Sequence, residues 1–262
     1  MDNNNNSAAE RRAWIAQKAM ENGEVLLSDI VKEFKITETS VRRDLDALEK
    51  AGVLKRIRKG AVPFLQEERN QSYAEKAKLN LREKQLIGKA AASLIRPGDT
   101  MILDSGTTTI QIVKHIPMAI KQSGSVTIMT NSVSVSQELL NFSSPNLMLL
   151  GGIFIPDHQA TVGPQTIAQL KELTADYVFI GADGISIENG ATTANILIAE
   201  VDRVMTERAR KKVLVLDSSK FAHVGLVPVK PIGAFDIIIT DNGAPEDVIE
   251  KIRKLGVEVM IV

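Results

Sequence analysis

The sequence predicts an α/β chain in two parts: a small helical domain closed by a β-ribbon over residues 8–62, and a larger α/β domain over residues 81–262. Three observations predict it. Two amphipathic helical stretches lie close together between Ile30 and Leu48 and run into a ribbon-like segment. From Leu81 onward short apolar runs alternate with helical patterns, the signature of a mainly parallel sheet covered on both faces. Between the two parts, residues 63–80 are polar and rich in Glu and Lys and read as a linker, helical in part. A length of 262 residues with 44% hydrophobic and 24% charged composition suits one small and one moderate domain.

Asn3 to Asn6 form a low-complexity tail. Trp14, Ile15 and Lys18 to Met20 belong to a first helix in which Trp14 serves as a core anchor. Ile30, Val31 and Phe34 recur at helical spacing, and Val41, Leu45 and Leu48 recur again after a polar break at Lys35 to Glu38, so two helices are joined by a tight turn. Thr37 and Thr39 are N-cap types, and the second helix is expected to begin at Thr39 or Ser40. Arg42 and Arg43 then fall in its first turns, off the apolar stripe, and Gly52 ends it as a C-cap glycine. Val53 to Val62 reads as a two-stranded ribbon with Gly60 near its turn and four outward cations, Lys55, Arg56, Arg58 and Lys59. Three helices and a ribbon give a winged helix-turn-helix outline.

Its charge points to nucleic acid. From Ser40 to Gly60 seven cations face three anions, a local charge of +4, while the whole chain has a formal net charge of +0. The first residues of a recognition helix reach base edges and flanking phosphates, and an arginine can bond guanine bidentately. Thr39, Ser40, Arg42, Arg43, Lys55, Arg56, Arg58 and Lys59 are therefore the candidate contacts to double-stranded operator DNA. The competing reading is a solvated charged face.

In the second part, strands are expected at 100–103, 126–129, 147–150, 177–180, 213–216, 237–239 and 257–262, with helices such as 83–95 and 246–255 between most of them. Asp104-Ser105-Gly106-Thr107-Thr108-Thr109 follows the first strand and precedes a helix. There Gly106 lets the backbone approach an anion, and hydroxyls and free N–H groups supply donors. Neither a Walker lysine nor GxGxxG is present, so a small phosphorylated ligand fits better than a nucleotide. Asn131, Gly151-Gly152, Asp183 and Lys220 follow later strands, where ligands of such sheets collect. Asp104 and Asp183 suit sugar hydroxyls and Lys220 a phosphate, although each alone is equally a turn former or surface charge, and hydroxyl-rich turns also cap helices.

The absence of cysteine excludes a disulfide scaffold and thiolate chemistry, and His115, His158 and His223 lack metal-site spacing. His158 falls on a loop that could cover the pocket. No metal, cofactor or catalytic residue is expected. The start lacks the apolar core of a secretory signal and no apolar run approaches bilayer length, which points to the cytoplasm without membrane contact.

The segment Thr39 to Val62 resembles the N-terminal signature of the DeoR family of bacterial transcriptional regulators, and DSGTTT, TNS, GG, GADGI, NGATT and DSSKF extend the resemblance over almost the whole chain. Where members usually carry glycine in the wing, this chain has Lys59. The resemblance implies an effector domain similar in fold to ribose-5-phosphate isomerase that senses a phosphorylated sugar. By position, Ser105 to Thr109 hold the phosphate, with Asp104, Asn131, Asp183 and Lys220 completing the pocket. The run Ile102 to Thr109 and the terminal Gly256 to Val262 resemble the amino-sugar and hexitol branch. Together these imply a repressor of a sugar-catabolic operon acting as a homo-dimer or tetramer. The alternatives are a sugar-phosphate isomerase or deaminase with an added DNA-binding domain, for which Asp183 is the candidate base but Gly184 and Ile185 follow where another acid is usual, and an architectural DNA binder without a ligand.

Overall fold

The computed structural model describes residues 8–50, 53–63, 72–140 and 146–262. The tail at Asn3–Asn6, the expected C-cap at Gly52 and linker residues 64–71 lie outside the described residues. The chain divides into two compact units, Met1–Gln71 and Ser72–Val262.

The first unit holds α1 (Ala8–Asn22), β1 (Val25–Leu26), α2 (Leu27–Phe34), α3 (Glu38–Lys50), β2 (Leu54–Ile57) and β3 (Gly60–Pro63). Its core is the apolar stripes of the three helices: Ile15, Ile30, Val41 and Leu45 are fully buried with Leu54 of the ribbon. Trp14 packs edge-on against Phe34 with ring centroids 5.1 Å apart. α2 ends at Lys35 in the left-handed conformation, and α3 starts at Glu38, one residue before the expected start. Thr37 caps it, its Oγ1 accepting from the Ser40 N–H at 3.3 Å.

The ribbon has three antiparallel strands in the order β1-β3-β2 rather than two. β1 contributes two residues, too few to leave a periodic signal. It also explains Gly60: a Cβ there would lie 2.0 Å from the Val25 carbonyl oxygen, so the β1–β3 pairing requires glycine. The wing turn itself is Arg58-Lys59, and neither residue has a positive φ. Lys59 thus occupies the turn without left-handed strain.

The second unit opens with α4 (Tyr73–Lys78), nucleated by a capping box between Ser72 and Glu75, so residues 72–80 of the expected linker belong to this unit. After α5 (Leu81–Ala92) the chain alternates through β4 (Thr100–Leu103), α6 (Thr109–His115), α7 (Met118–Ser123), β5 (Thr127–Thr130), α8 (Val133–Leu139) and β6 (Asn146–Leu149). A hairpin, β7 (Ile153–Ile155) and β8 (Ala160–Val162), leads to α9 (Pro164–Lys171), β9 (Ala175–Ile180), β10 (Gly184–Ser186), β11 (Gly190–Thr193) and α10 (Ile196–Glu207). β12 (Ala209–Val215), β13 (Val227–Lys230), β14 (Ile237–Thr240), α11 (Glu246–Lys254) and β15 (Glu258–Ile261) complete it.

Seven strands form one parallel sheet in the order β15-β14-β12-β9-β4-β5-β6. Alternation within each strand divides the core between its faces. Met101, Leu103, Phe179, Val213 and Val215 pack with Ile87, Ile112 and Val135, whereas Ile102, Val178, Ile180 and Leu214 pack with Leu170, Val201 and Ile252. Both faces are buried, as the continuous apolar runs of the strands require. The sequence proceeds outward from β4 through β5 to β6 on one side, and from β9 through β12 and β14 to β15 on the other. The order reverses between β4 and β9, and the carboxyl ends of that pair are where ligands of open α/β sheets bind.

Candidate functional site

In the first unit, Thr39, Arg42, Arg43, Lys55, Arg58 and Lys59 are exposed, and Ser40 is half-buried in the first turn of α3. Arg42 lies 3.6 Å from Glu38 one turn earlier, both largely solvated, so the pair holds Arg42 weakly. The position of α3 is fixed from beneath by Asp44, which is 2% exposed and accepts from Arg11 Nε at 2.6 Å and Arg12 Nε at 2.9 Å. One expected cation is placed differently. Arg56 is not outward: its guanidinium pairs with Asp46 and its N–H donates to Glu49 Oε1 at 2.8 Å, because in β2 it shares the α3-facing side with buried Leu54. Arg56 ties the wing to α3, leaving three ribbon cations exposed.

In the second unit, the switch point is bridged by Asp104, which follows β4 and is 5% exposed. Its Oδ1 accepts from the Gly106 N–H at 2.8 Å and its Oδ2 from the Gly181 N–H at 2.6 Å, tying the two diverging strand ends together. Burial pushes its carboxyl up, with the charge of Asp183 adding to the shift against the bonds it accepts. Ser105, Thr108 and Thr109 are buried, with Gly106 and Thr107 half-buried. Thr108 occupies the N-cap of α6 yet forms no side-chain cap bond, and Thr109 Oγ1 forms no well-aligned hydrogen bond but acts on Asp104, so these hydroxyls are not spent on capping. α6 itself is only seven residues long.

Asn131 follows β5 and is 1% exposed; its Nδ2 donates to the Thr161 carbonyl at 2.9 Å while its Oδ1 has no partner. Asp183 follows β9. Its Oδ2 accepts from Thr193 Oγ1 at 2.8 Å and the Ala194 N–H at 2.9 Å, and its Oδ1 lies 3.3 Å from Lys76 Nζ. Burial alone raises such a carboxyl, but Lys76, the Ala194 N–H, Lys220 and Thr193 hold it down to about 2. Lys220, in the helical turn Ser218–Ala222, is thus near enough to act on Asp183.

Gly151 and Gly152 behave otherwise. Gly151 exchanges hydrogen bonds with Gln169 and accepts from Thr166 Oγ1 at 2.9 Å, and a Cβ on Gly152 would lie 2.2 Å from that same Oγ1. Their contacts run to α9 and β8, and packing requires glycine at 152, whereas a Cβ on exposed Gly151 would meet only Gln169 Nε2 at 3.8 Å.

Four residues of this edge carried no sequence signal. Lys76 and Tyr73 lie on α4, inside the stretch read as linker. Asn80 donates from Nδ2 to Asp217 Oδ1 at 2.8 Å. Asp202, 4% exposed on α10, has its carboxyl pushed well above the usual carboxylate range by burial and then by the charges of Asp104 and Asp183. Tyr73 Oη is buried with no well-aligned hydrogen bond, and burial raises its pKa, opposed by a polar contact with Ser134 and aided by the nearby Asp104. His158, expected over the pocket, is influenced by Lys76 and Asp183; burial first and Lys76 second hold its pKa down. The edge therefore combines two ammonium groups, carboxyls whose pKa values are shifted in opposite directions, and three buried polar atoms that form no well-aligned hydrogen bond. Such a set can take an anion and several hydroxyls. Among the described residues no group of three or more His, Asp or Glu is placed to hold a metal, and no helix is long and apolar enough to cross a membrane.

Residues 11–66 match the DeoR-like helix-turn-helix domain and residues 79–242 the DeoR C terminal sensor domain. A protein of Escherichia coli O157:H7, provisionally named an aga operon transcriptional repressor, is 35% identical over 97% of this chain and 94% of its own length. The HTH-type transcriptional repressor GlcR of Bacillus subtilis is 29% identical over 96% of this chain and 95% of its own. Among solved structures, ribose 5-phosphate isomerase A of Methanocaldococcus jannaschii is 18% identical, covering 54% of this chain and 55% of that chain with a TM-score of 0.41. With each unit matched to its own family domain, the chain belongs to the DeoR family, whose members are transcriptional regulators and not enzymes.

Proposed function

We propose that this regulator represses a sugar-catabolic operon, binding operator DNA through its first unit and releasing it when a phosphorylated sugar occupies the carboxyl edge of the parallel sheet. Arg42 and Arg43 read bases from α3 with Thr39 and Ser40 beside them, while Lys55, Arg58 and Lys59 bind phosphates; Arg56 supports the wing from behind. The observation that carries the ligand reading is the set of buried polar atoms that form no well-aligned hydrogen bond, Tyr73 Oη, Thr109 Oγ1 and Asn131 Oδ1, the first two making only a looser polar contact to Ser134 and Asp104. A buried polar atom left unpaired costs on the order of 1–3 kcal/mol, so three in one place favour an absent partner rich in oxygen. Lys76 and Lys220 suit its phosphate, with Ser105 to Thr109 as hydroxyl and N–H donors and Asp183 as acceptor. The names of two relatives as repressors support the direction of control.

A single winged domain reads few base pairs, so a homo-dimer or tetramer binds repeated half-sites, within the cytoplasm where operator and sugar phosphates meet. Fluorescence anisotropy on duplexes from upstream of its own gene tests this. Salt-dependent specific binding, lost in Arg43→Ala and reversed by a member of a panel of pentose, hexose and hexosamine phosphates, is expected. Binding equally tight to random duplex, or indifferent to every sugar phosphate, refutes it.

A further inference from the structure

α4 falls between the two matched regions, 11–66 and 79–242, and no family motif covers it. Yet it is built onto the ligand edge. Its capping box fixes its start, Lys76 Nζ lies 3.3 Å from Asp183 Oδ1, and buried Lys84 of α5 donates to the Lys76 carbonyl at 2.6 Å. Just beyond its end, Asn80 in a left-handed conformation donates to Asp217 Oδ1 at 2.8 Å and to Ser219 Oγ at 3.3 Å. Tyr73, three residues before Lys76, places its hydroxyl in the interior near Asp104, in loose polar contact with Ser134 and without a well-aligned hydrogen bond. A phenol can bury its ring anywhere apolar, but a buried Oη normally finds a partner.

We propose that α4 is a wall of the ligand site: Tyr73 Oη donates to a ligand oxygen beside Asp104, and Lys76 divides its ammonium between Asp183 and the ligand's phosphate. This rests on the reading of the sheet edge as a phosphorylated-sugar site. It adds a route for the signal, because α4 begins at the first residues of the second unit, where the chain arrives from the helix-turn-helix unit. A ligand that draws Lys76 from Asp183 acts on the segment that leads directly to the DNA-binding part.

The test is isothermal titration of the full chain and its Tyr73→Phe variant with pentose, hexose and hexosamine phosphates, and with inorganic phosphate as a phosphate-only arm. Phenylalanine keeps the ring and removes only the hydroxyl. Affinity for the sugar phosphate that binds the native chain should fall about 3- to 10-fold, as for one lost hydrogen bond, while the ligand-free melting temperature holds or rises because an unpaired buried hydroxyl has gone. Lys76→Gln should weaken the same sugar phosphate and inorganic phosphate by a similar factor. Undiminished sugar-phosphate affinity in Tyr73→Phe overturns the proposal and leaves the sugar-phosphate reading standing. Absence of binding to the native chain overturns both.

Discussion

Replacing Asp183 with asparagine should cost the second unit about 2 kcal/mol at pH 7, and the cost should vanish in acid. The carboxyl is held at about 2 against an ordinary 3.8. A shift of nearly two units, at about 1.4 kcal/mol per unit, corresponds to roughly 2.5 kcal/mol of folding free energy. Its side chain is 18% exposed, so solvent screening reduces that only modestly. Asparagine Oδ1 can still accept from Thr193 Oγ1 and the Ala194 N–H, and loss of the charge relieves Asp104 and Asp202, both raised in part by Asp183. The new amide instead presents N–H groups toward Lys76, which loses its counter-ion. These partial offsets bring the expected cost to about 2 kcal/mol. Because the folded pKa lies below the unfolded one, the stabilisation is complete above about pH 4 and disappears as pH falls through about 2. Urea unfolding followed by circular dichroism, at steps from pH 7 to pH 2, compares native and variant chains. A gap steady down to about pH 5 and closing toward pH 2 is expected, and a gap of the same size at every pH would refute the assignment of its origin to the ionised carboxylate.

Two predictions concern the first unit, whose lone tryptophan, Trp14, reports on it separately by fluorescence. Asp44→Ala leaves Arg11, 15% exposed, without its counter-ion and should cost about 3 kcal/mol. Its fluorescence midpoint should fall while the second unit's transition stays in place, and unchanged Trp14 unfolding would show that the double pair contributes nothing. Gly60→Ala puts a Cβ 2.0 Å from the Val25 carbonyl and should cost about 1–3 kcal/mol by forcing β1 from β3. Native stability in that variant would mean that β1 moves freely.

Much of the architecture was legible because it rests on long-range patterning. The apolar stripes at Ile30–Phe34 and Val41–Leu48 could bury only as helices, and runs such as Met101-Ile102-Leu103 and Val213-Leu214-Val215 only as strands covered on both faces. The pieces that escaped are those whose cause is tertiary. β1 is two residues long, and β10 and β11 are short strands ordered by pairing, β10 with β11 and β11 with β13. α4 was read only as part of a partly helical linker, because Tyr73-Ala-Glu-Lys-Ala-Lys78 is polar in composition and its place in the second unit rests on the Ser72–Glu75 box and distant partners such as Asp183. At the site, motif residues after β4, β5 and β9 came together as the parallel topology demands. Asp202 could not be foreseen, since a carboxylate inside a helix reads as a surface charge until the helix is packed. Arg56 was misread for the converse reason, because strand alternation turns it toward Asp46 rather than outward.

The contacts around the switch point differ in what a ligand can change. Asp104 is tied to Gly106 and Gly181 through backbone N–H groups that stay where the strands put them, so it can add a ligand bond without moving. Asp183 is held down chiefly by the Lys76 ammonium, for which a phosphate at the proposed site would compete. An effector shifts an equilibrium only by its difference in affinity between two arrangements. A pocket made solely of backbone-anchored groups would bind both arrangements alike and signal nothing. On the proposed reading the Lys76–Asp183 contact would supply the difference: it is made within the protein when the ligand is absent, would be exchanged for an anion, and belongs to the first described helix of the second unit. A signal would then pass through the weakening of this ion pair, with Asp104 beside it supplying affinity.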